Sequence, residues 1–201
     1  MVKTIIFDLG NVIVPFDFKR AYDRMEGLSP YPAAEIPLRL RGTDLVQRFE
    51  TGRVGAGEFV AELSQFLELK TTREEFLEVF NCIFLPDALL PEALLTGLRE
   101  RYRLLLLSNT NPIHFELIER TYPLLRHFHD RVLSYQVGAR KPSARIYEEA
   151  LLRADCGAGE CVFFDDVPAY VEGARAAGID AVQFQSAEQV EEELRRRGVT
   201  W

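Results

Sequence analysis

The sequence predicts an α/β fold, a doubly wound parallel sheet with a helical cap inserted after its first strand. Short apolar runs of strand length alternate with longer amphipathic stretches of helical length along most of the 201 residues. From about residue 15 to residue 89 this alternation stops, and apolar residues recur only at helical spacing. We therefore expect an α/β core formed by residues 1–14 and 90–201, with residues 15–89 as the cap.

Five apolar runs are the predicted strands, and several end at polar side chains. The first run ends at Asp8, and the fourth is followed directly by Asp165 and Asp166. The runs cover residues 3–8, 104–107, 131–135, 161–164 and 179–184. The carboxyl ends of parallel strands lie along one edge of a sheet, which is where such sheets bind ligands. We therefore expect the polar side chains to gather at that edge.

The stretches between these strands have the amphipathic pattern of helices. We expect core helices at residues 91–101, 111–121, 143–154, 168–177 and 187–197. The last begins with acidic residues and ends with basic ones, which suits the helix dipole. In the cap, turns rich in Pro and Gly, such as residues 29–32 and 55–57, separate groups of apolar residues at helical spacing.

Composition and charge exclude several classes of function. Hydrophobic residues make up 47% of the chain and charged residues 27%, and no apolar run approaches the roughly 18 residues of a membrane span. The net charge of −7 argues against nucleic-acid binding. No signal peptide is visible, and the three cysteines lack metal-ligand spacing, so we expect a cytoplasmic protein with reduced thiols. We expect a monomer or homodimer, with neither nucleic acid nor membrane as partner.

The predicted strand ends carry residues that suit phosphate chemistry. A parallel sheet brings together Asp8, Ser108, the loop with Lys141, and the pair Asp165–Asp166. Three clustered carboxylates repel one another and need a cation, and oxygen ligands suit Mg²⁺. A hydroxyl and a lysine, in a chain with only four lysines, complete a site of phosphate size. Asp8 is then either a metal ligand or a nucleophile that forms an aspartyl-phosphate.

Four short motifs resemble the signature motifs of the haloacid dehalogenase (HAD) superfamily, in that family's order. They are Phe7-Asp8-Leu9-Gly10-Asn11-Val12, Leu107-Ser108-Asn109, Arg140-Lys141-Pro142 and Phe164-Asp165-Asp166. The longer runs around them are similar to its sugar-phosphatase branch, which includes glucose-1-phosphate phosphatases, and more distantly to the phosphatase domain of soluble epoxide hydrolases. The resemblance implies a Rossmann-like core with a small helical cap. It also implies a Mg²⁺-dependent phosphatase that cleaves a small phosphorylated metabolite, a sugar phosphate, through an aspartyl-phosphate.

The resemblance implies roles for the catalytic and substrate-binding residues. Asp8 matches the family's nucleophile. The hydroxyl of Ser108, with the backbone amide of Asn109 beside it, matches the group that binds the phosphoryl moiety. Lys141 matches the lysine that pairs with both the nucleophile and the phosphate, and it therefore counts as catalytic and as substrate-binding.

The Mg²⁺ ligands implied by the resemblance come from the first and last motifs. They are the carboxylates of Asp8 and Asp166 and the backbone carbonyl of Gly10. Asp165 matches the accompanying acid, which acts directly or through a metal-bound water. On local sequence alone, this acidic pair could instead cap a helix that starts at Pro168.

Two positions depart from the family pattern. Gly10 stands where the family commonly has an Asp that acts as general acid and base, a loss of about 10²–10⁴ in rate unless another group replaces it. Asp17, His114 and a metal-polarised water are the candidate replacements, although Asp17 also suits the N-cap of the first cap helix. Tyr170 stands where the branch often has Asn.

The cap is expected to close over Asp8 and to set substrate choice. The sequence does not rank its candidate contact residues, which are Phe16, Phe18, Arg41, Phe49 and Glu50. His127 and His129 lie two residues apart, but no third metal ligand is evident. We expect both to be surface or packing residues.

Three alternative functions are weighed against phosphatase activity. A haloacid dehalogenase, in which the Asp attacks carbon, needs no metal and usually lacks a paired acid in the last motif. A receiver-type signalling domain has its acidic pair after the first strand, whereas here the pair is Asp165–Asp166, after a late strand. A non-catalytic sugar-phosphate binder is the third alternative, because Gly10 removes the usual acid.

Overall fold

The computed structural model of the chain describes all residues, 1–201, and has a parallel sheet at its centre. The strands are β1 (Thr4–Phe7), β2 (Arg103–Ser108), β3 (Asp130–Leu133), β4 (Cys161–Asp165) and β5 (Asp180–Gln183). They pair in the order β3-β2-β1-β4-β5, with every neighbouring pair parallel. The predicted fold class is therefore confirmed. The central strand is β1, so its C-terminal end lies between those of β2 and β4.

The helices fall into an inserted group and a core group. The inserted helices are α1 (Lys19–Glu26), α2 (Ile36–Arg41), α3 (Leu45–Glu50), α4 (Ala56–Phe66) and α5 (Arg73–Asn81). The core helices are α6 (Glu92–Arg99), α7 (Pro112–Thr121), α8 (Ser134–Val137), α9 (Ala144–Ala154), α10 (Pro168–Ala176) and α11 (Ala187–Arg196). Short 3₁₀ helices occur at Pro123–His127 and Ala158–Glu160. None of the helices is both long and apolar enough to cross a membrane.

The sheet is covered by helices on both faces. Ile5 and Phe7 pack in the apolar layer that contains residues of α6, α7 and α11, whereas Ile6 packs in the layer with α9 and α10. All four residues of β1 are buried. A continuous apolar run is what a strand covered on both faces requires. Asp8 is therefore the first polar side chain after a wholly apolar segment.

The third strand ends earlier than the sequence pattern predicts. We expected a strand over residues 131–135, but β3 ends at Leu133 and the next residues form α8. The Ser134 hydroxyl donates to the carbonyl of Thr110 and accepts from its amide, both at 2.9 Å. Ser134 thus contacts the segment after β2 through its side chain instead of extending the ladder. The helical turn ends at Gly138, whose φ of 74° favours glycine.

The inserted helices have an apolar core of their own. This cluster consists of buried residues of the insert together with Ile113 from α7. The rings of Phe49 and Phe59 stack with their centroids 3.9 Å apart, so α3 and α4 are held together by an aromatic contact. The insert therefore folds around its own side chains and touches the core at α7.

The two segments that connect the insert to the core run side by side. The amide of Asp17 donates to the carbonyl of Ile83 at 2.9 Å, and the amide of Leu85 donates to the carbonyl of Pro15 at 3.0 Å. Both segments meet the core where β1 ends. The cap boundaries near residues 15 and 89 stay a prediction.

Candidate active site

Asp8 is the first residue after β1, and backbone hydrogen bonds fix its position. Its amide donates to the carbonyl of Phe164 in β4 at 2.9 Å. The turn that follows is tight, because the amides of Ile13 and Val14 both donate to the carbonyl of Leu9, at 3.0 and 2.8 Å. Asp8 is only 7% exposed and lines a cavity at the C-terminal edge of the sheet.

Lys141 is the centre of a buried charge network. Its ammonium nitrogen lies 2.7 Å from Asp8 Oδ1 and 2.6 Å from Asp165 Oδ2. It also donates to the carbonyl of Leu107 at 3.1 Å. Burial favours the neutral amine, but the two carboxylates outweigh burial and raise the pKa of Lys141. The lysine is therefore a fixed positive charge beside Asp8.

The side chain of Asn109 holds the backbone of Lys141. Its Oδ1 accepts from the amide of Lys141 at 2.8 Å, and its Nδ2 donates to the carbonyl of Lys141 at 3.1 Å. The sequence resemblance assigned only the backbone amide of Asn109 a role. The clamp links residues 32 apart in sequence, and no local pattern indicates it.

The structure brings most of the predicted site residues together. The lining of the cavity includes Asp8, Gly10, Ser108, Asn109, Lys141 and Asp166. Ser108 is the last residue of β2 and is 2% exposed. Asp165 is absent from that lining because it is wholly buried behind Lys141.

The two acidic residues at the end of β4 have different surroundings. Both carboxylate oxygens of Asp165 are engaged, one with Lys141 at 2.6 Å and the other with the amide of Val167 at 2.9 Å. The latter contact holds the residue before α10, but the N-cap of that helix is Val167, which has no side-chain capping bond, so the capping role that the sequence allowed for the acidic pair is not observed. Asp166 is half-buried and lines the cavity. Burial is the main cause that raises the pKa of its carboxyl group, and repulsion from Asp165 adds to it.

The acidic cluster fits a divalent cation. Carboxylate oxygens of Asp8, Asp165 and Asp166 all lie within 4.8 Å of one another, and Lys141 is the one cation among them. Burial and the nearby Asp165 raise the pKa of Asp8 to about 7, although Lys141 acts in the opposite direction. The site thus has surplus negative charge and hard oxygen donors, the conditions that favour Mg²⁺.

The ring of Phe16 fills the space beside Gly10. A Cβ atom placed on Gly10 would lie 2.5 Å from Phe16 Cε1, closer than carbon atoms pack. Gly10 is not among the residues with positive φ, so its backbone angles do not require glycine. A side chain at position 10 would therefore require the ring of Phe16 to move.

His114, one candidate replacement for the missing acid, has no free N–H to donate to a leaving group. Nε2 of His114 donates to the carbonyl of Phe80 at 3.1 Å, which leaves Nδ1 to accept from Asn111 at 3.0 Å. Burial lowers the pKa of His114 to about 4, so its ring is neutral at pH 7. His114 borders the cavity, but its only N–H is already engaged.

The position of Asp17 differs from the predicted one. Its carboxylate accepts from the amide of Lys19 at 2.9 Å and lies outside the cavity. The N-cap position of α1 belongs to Phe18, one residue later than expected. Asp17 therefore stabilises the start of the helix and does not reach the site.

The cap contributes to the catalytic cavity and to a second one beside it. The catalytic cavity has a volume of about 230 Å³, and its cap lining includes Phe16, Phe18 and Glu50. The second cavity, of about 560 Å³, lies among the cap helices and is lined by Arg41 and Phe49 as well as by Phe18 and Glu50. All five predicted cap candidates therefore border one cavity or both.

Glu50 is paired with Arg140, a residue that sequence reasoning did not single out. Arg140 Nε lies 2.9 Å from Glu50 Oε2, and both residues border both cavities. Burial raises the pKa of Glu50, and Arg140 opposes this shift. In the sequence, only the position of Arg140 directly before Lys141 indicates that it lies near the site.

The remaining singled-out residues have packing roles or border the site. His127 is buried against Glu92 at 3.0 Å, and His129 accepts from the amide of Leu104 at 3.0 Å. Tyr170 lines the catalytic cavity, with its ring centroid 5.1 Å from the ammonium of Lys141.

Comparison with known proteins adds a family and two curated relatives. The sequence model of the haloacid dehalogenase-like hydrolases matches residues 2–178. The chain is 28% identical over 200 residues to a D-ribitol-5-phosphate phosphatase of Bacteroides thetaiotaomicron, covering 96% of this chain and 97% of the relative. It is 30% identical over 190 residues to phosphatase MT3486 of Mycobacterium tuberculosis, covering 90% and 86% of the two chains.

A solved structure shares the fold. It is the crystal structure of a HAD family enzyme from Bacteroides thetaiotaomicron in complex with magnesium and inorganic phosphate. The TM-score is 0.83 at 22% identity, covering 92% of this chain and 96% of that one.

Proposed function

This chain belongs to the haloacid dehalogenase-like hydrolases, and we propose that it is a Mg²⁺-dependent phosphatase that cleaves a sugar phosphate through an aspartyl-phosphate at Asp8. Hydrolysis of phosphate esters follows from the family and its phosphatase relatives. One observation supports the proposed aspartyl-phosphate at Asp8: the Lys141 ammonium contacts both Asp8 and Asp165, beside a cavity lined by Ser108 and Asp166.

The proposed reaction has two displacements at phosphorus. First, a carboxylate oxygen of Asp8 bonds to phosphorus while the bond from phosphorus to the leaving oxygen breaks, and that oxygen takes up a proton. Water then attacks the phosphorus of the aspartyl-phosphate, releases inorganic phosphate and restores the carboxylate. Such transfers depend mainly on positioning and on compensation of charge.

Lys141 and Ser108 hold the phosphoryl group in this proposal. The ammonium of Lys141 compensates charge on the phosphoryl oxygens, and the Ser108 hydroxyl donates to one of them. Asp165 keeps Lys141 charged and aimed at Asp8, while Asn109 fixes its backbone. These contacts organise the site before substrate arrives, which lowers the cost of reaching the transition state.

Magnesium fits the same group of residues. The carboxylates of Asp8 and Asp166 and the carbonyl of Gly10 would hold it, with Asp165 behind them. When bound, Mg²⁺ compensates negative charge on the phosphoryl group and on Asp8. The structural relative with bound magnesium and phosphate supports this assignment through its shared fold.

A small hydroxylated substrate suits the enclosed site. The catalytic cavity of about 230 Å³ has room for a phosphoryl group and part of a small leaving group. A relative that acts on D-ribitol-5-phosphate supports a sugar or sugar-alcohol phosphate as the substrate class.

A turnover assay tests the proposed function. We expect the protein to hydrolyse p-nitrophenyl phosphate with Mg²⁺ and to prefer members of a panel of sugar phosphates. No turnover of any ester, combined with measurable binding of a sugar phosphate, would instead support the non-catalytic binder. Release of halide from a 2-haloacid in excess chelator would support the dehalogenase.

A further inference from the structure

The pair Glu50–Arg140 lies where the catalytic cavity meets the cavity in the cap. Glu50 is the last residue of α3, and Arg140 directly precedes Lys141 in the core. Both side chains border both cavities. A leaving group that extends from a phosphoryl group on Asp8 into the cap therefore passes these two charges.

Glu50 and Arg140 form an ion pair that lacks a well-aligned hydrogen bond. Arg140 Nε and Glu50 Oε2 are 2.9 Å apart, yet both atoms are buried and neither has a hydrogen bond of acceptable geometry. Buried polar atoms in native proteins are rarely left without a hydrogen bond. The misaligned pair therefore keeps hydrogen-bonding capacity that a third group could use.

Close packing of the cap against the core fixes the position of Glu50. Two residues further on, Gly52 has a φ of 67°, and a Cβ there would lie 2.2 Å from the carbonyl oxygen of Tyr135. Only glycine permits this approach. The end of α3 is thus seated on the core, which places the carboxylate of Glu50 beside Arg140.

The chemistry of the pair limits what can bind between its members. A hydroxyl group donates to a carboxylate and accepts from a guanidinium, so it serves both partners at once. A second phosphate or carboxylate on the substrate would be attracted by Arg140 but repelled by Glu50, and the reverse holds for an amine, so the pair gives neither ion a net electrostatic gain. The group that fits is neutral and hydroxylated.

We propose that Glu50 and Arg140 recognise a hydroxyl group of the leaving group and so select a neutral sugar or sugar-alcohol phosphate. The proposal rests on the phosphatase function proposed above. The ring of Phe18, which is 44% exposed, borders the cap cavity and offers apolar surface to the carbon skeleton of the same group. Specificity thus comes from one partly buried charge pair beside a largely apolar cavity.

The test compares a sugar 1-phosphate with phenyl phosphate in the full-length protein with Mg²⁺. Both leaving groups are acidic, but phenyl phosphate has no hydroxyl to contact the pair. Wild-type protein should favour the sugar phosphate in kcat/KM. Glu50→Gln should lower the ratio of the two kcat/KM values by about 10- to 100-fold, the effect expected for a hydrogen bond to a charged group.

The matched control is Glu62→Gln. Glu62 pairs with Arg48 in the same cap, with two contacts of 3.0 Å, and borders neither cavity. This variant should keep the wild-type ratio. Equal losses for both substrates in Glu50→Gln would overturn the proposal and leave the pair a structural contact between cap and core.

The wild-type protein gives a second readout that does not depend on any variant. Comparable kcat/KM values for phenyl phosphate and for every member of a panel of sugar 1-phosphates and sugar-alcohol phosphates would also overturn the proposal. Absence of turnover with every ester would contradict the phosphatase function itself, so the two failures are distinguishable.

Discussion

The ring of Phe16 occupies the space into which a side chain at position 10 would project, since a Cβ on Gly10 would lie 2.5 Å from its Cε1. The site therefore lacks the usual acid, and one could be placed there only if the ring of Phe16 moved. His114 and Asp17 do not replace it, because the only N–H of His114 donates to the carbonyl of Phe80 and Asp17 lies outside the cavity. The leaving group has to depart with little help from a protein acid.

We predict a steep dependence of rate on the acidity of the leaving group. A loose transition state places negative charge on the leaving oxygen. Phenols and the anomeric hydroxyl of a sugar carry that charge better than a primary alcohol does. At equal binding in the cap, aryl phosphates and sugar 1-phosphates should therefore be cleaved faster than sugar 6-phosphates and terminal sugar-alcohol phosphates, which are esters of primary alcohols. The measurement is the slope of log(kcat/KM) against leaving-group pKa for a series of aryl phosphates.

Engineering of position 10 provides the control for this dependence. Gly10→Asp alone should lose activity, because its side chain meets Phe16. Combined with Phe16→Ala, the new acid has room, and the slope should become shallower than in Phe16→Ala alone. A flat line for the wild-type protein, with chemistry rate-limiting, would mean that another group supplies the proton.

Removal of magnesium should silence the enzyme. We expect no turnover in excess EDTA and full recovery on addition of Mg²⁺, because surplus carboxylate charge surrounds Asp8. Asp166→Ala should raise the Mg²⁺ concentration needed for half-maximal rate by at least about tenfold. Asp165→Asn serves as the comparison, since it disturbs Lys141 and should lower the rate even at saturating Mg²⁺. Undiminished activity in chelator would instead favour the dehalogenase.

The stability of the fold should depend on pH through His114. Its pKa is about 4 in the folded protein, against 6.5 when exposed. Because the pKa of His114 is lower in the folded protein than in the unfolded chain, protonation of its ring favours unfolding. The free energy of unfolding should therefore be unaffected by His114 above about pH 6.5 and should fall by up to about 3 kcal/mol as the pH decreases towards 4. Urea unfolding of wild type and His114→Gln across this range isolates the effect. Parallel stability curves for the two proteins would contradict it.

Local sequence pattern predicted the sheet and the polar strand ends, because a strand buried on both faces must be apolar until it leaves the core. Ser134 ended β3 early because its side chain hydrogen-bonds to Thr110, a contact that no apolar pattern encodes. The same limit applies within the site. The contact of Gly10 with Phe16 and the pair Glu50–Arg140 depend on the path of the chain through the cap, which periodicity does not determine.

Attack of the Asp8 carboxylate on phosphorus is tested most directly by the turnover number of Asp8→Asn with p-nitrophenyl phosphate and saturating Mg²⁺. An amide cannot attack phosphorus, so turnover should vanish. The thermal midpoint should hold or rise, since Asn is nearly isosteric and removes one of three clustered charges. Activity above about 1% of wild type, roughly 3 kcal/mol in barrier, in a preparation free of deamidated protein would contradict Asp8 as the nucleophile.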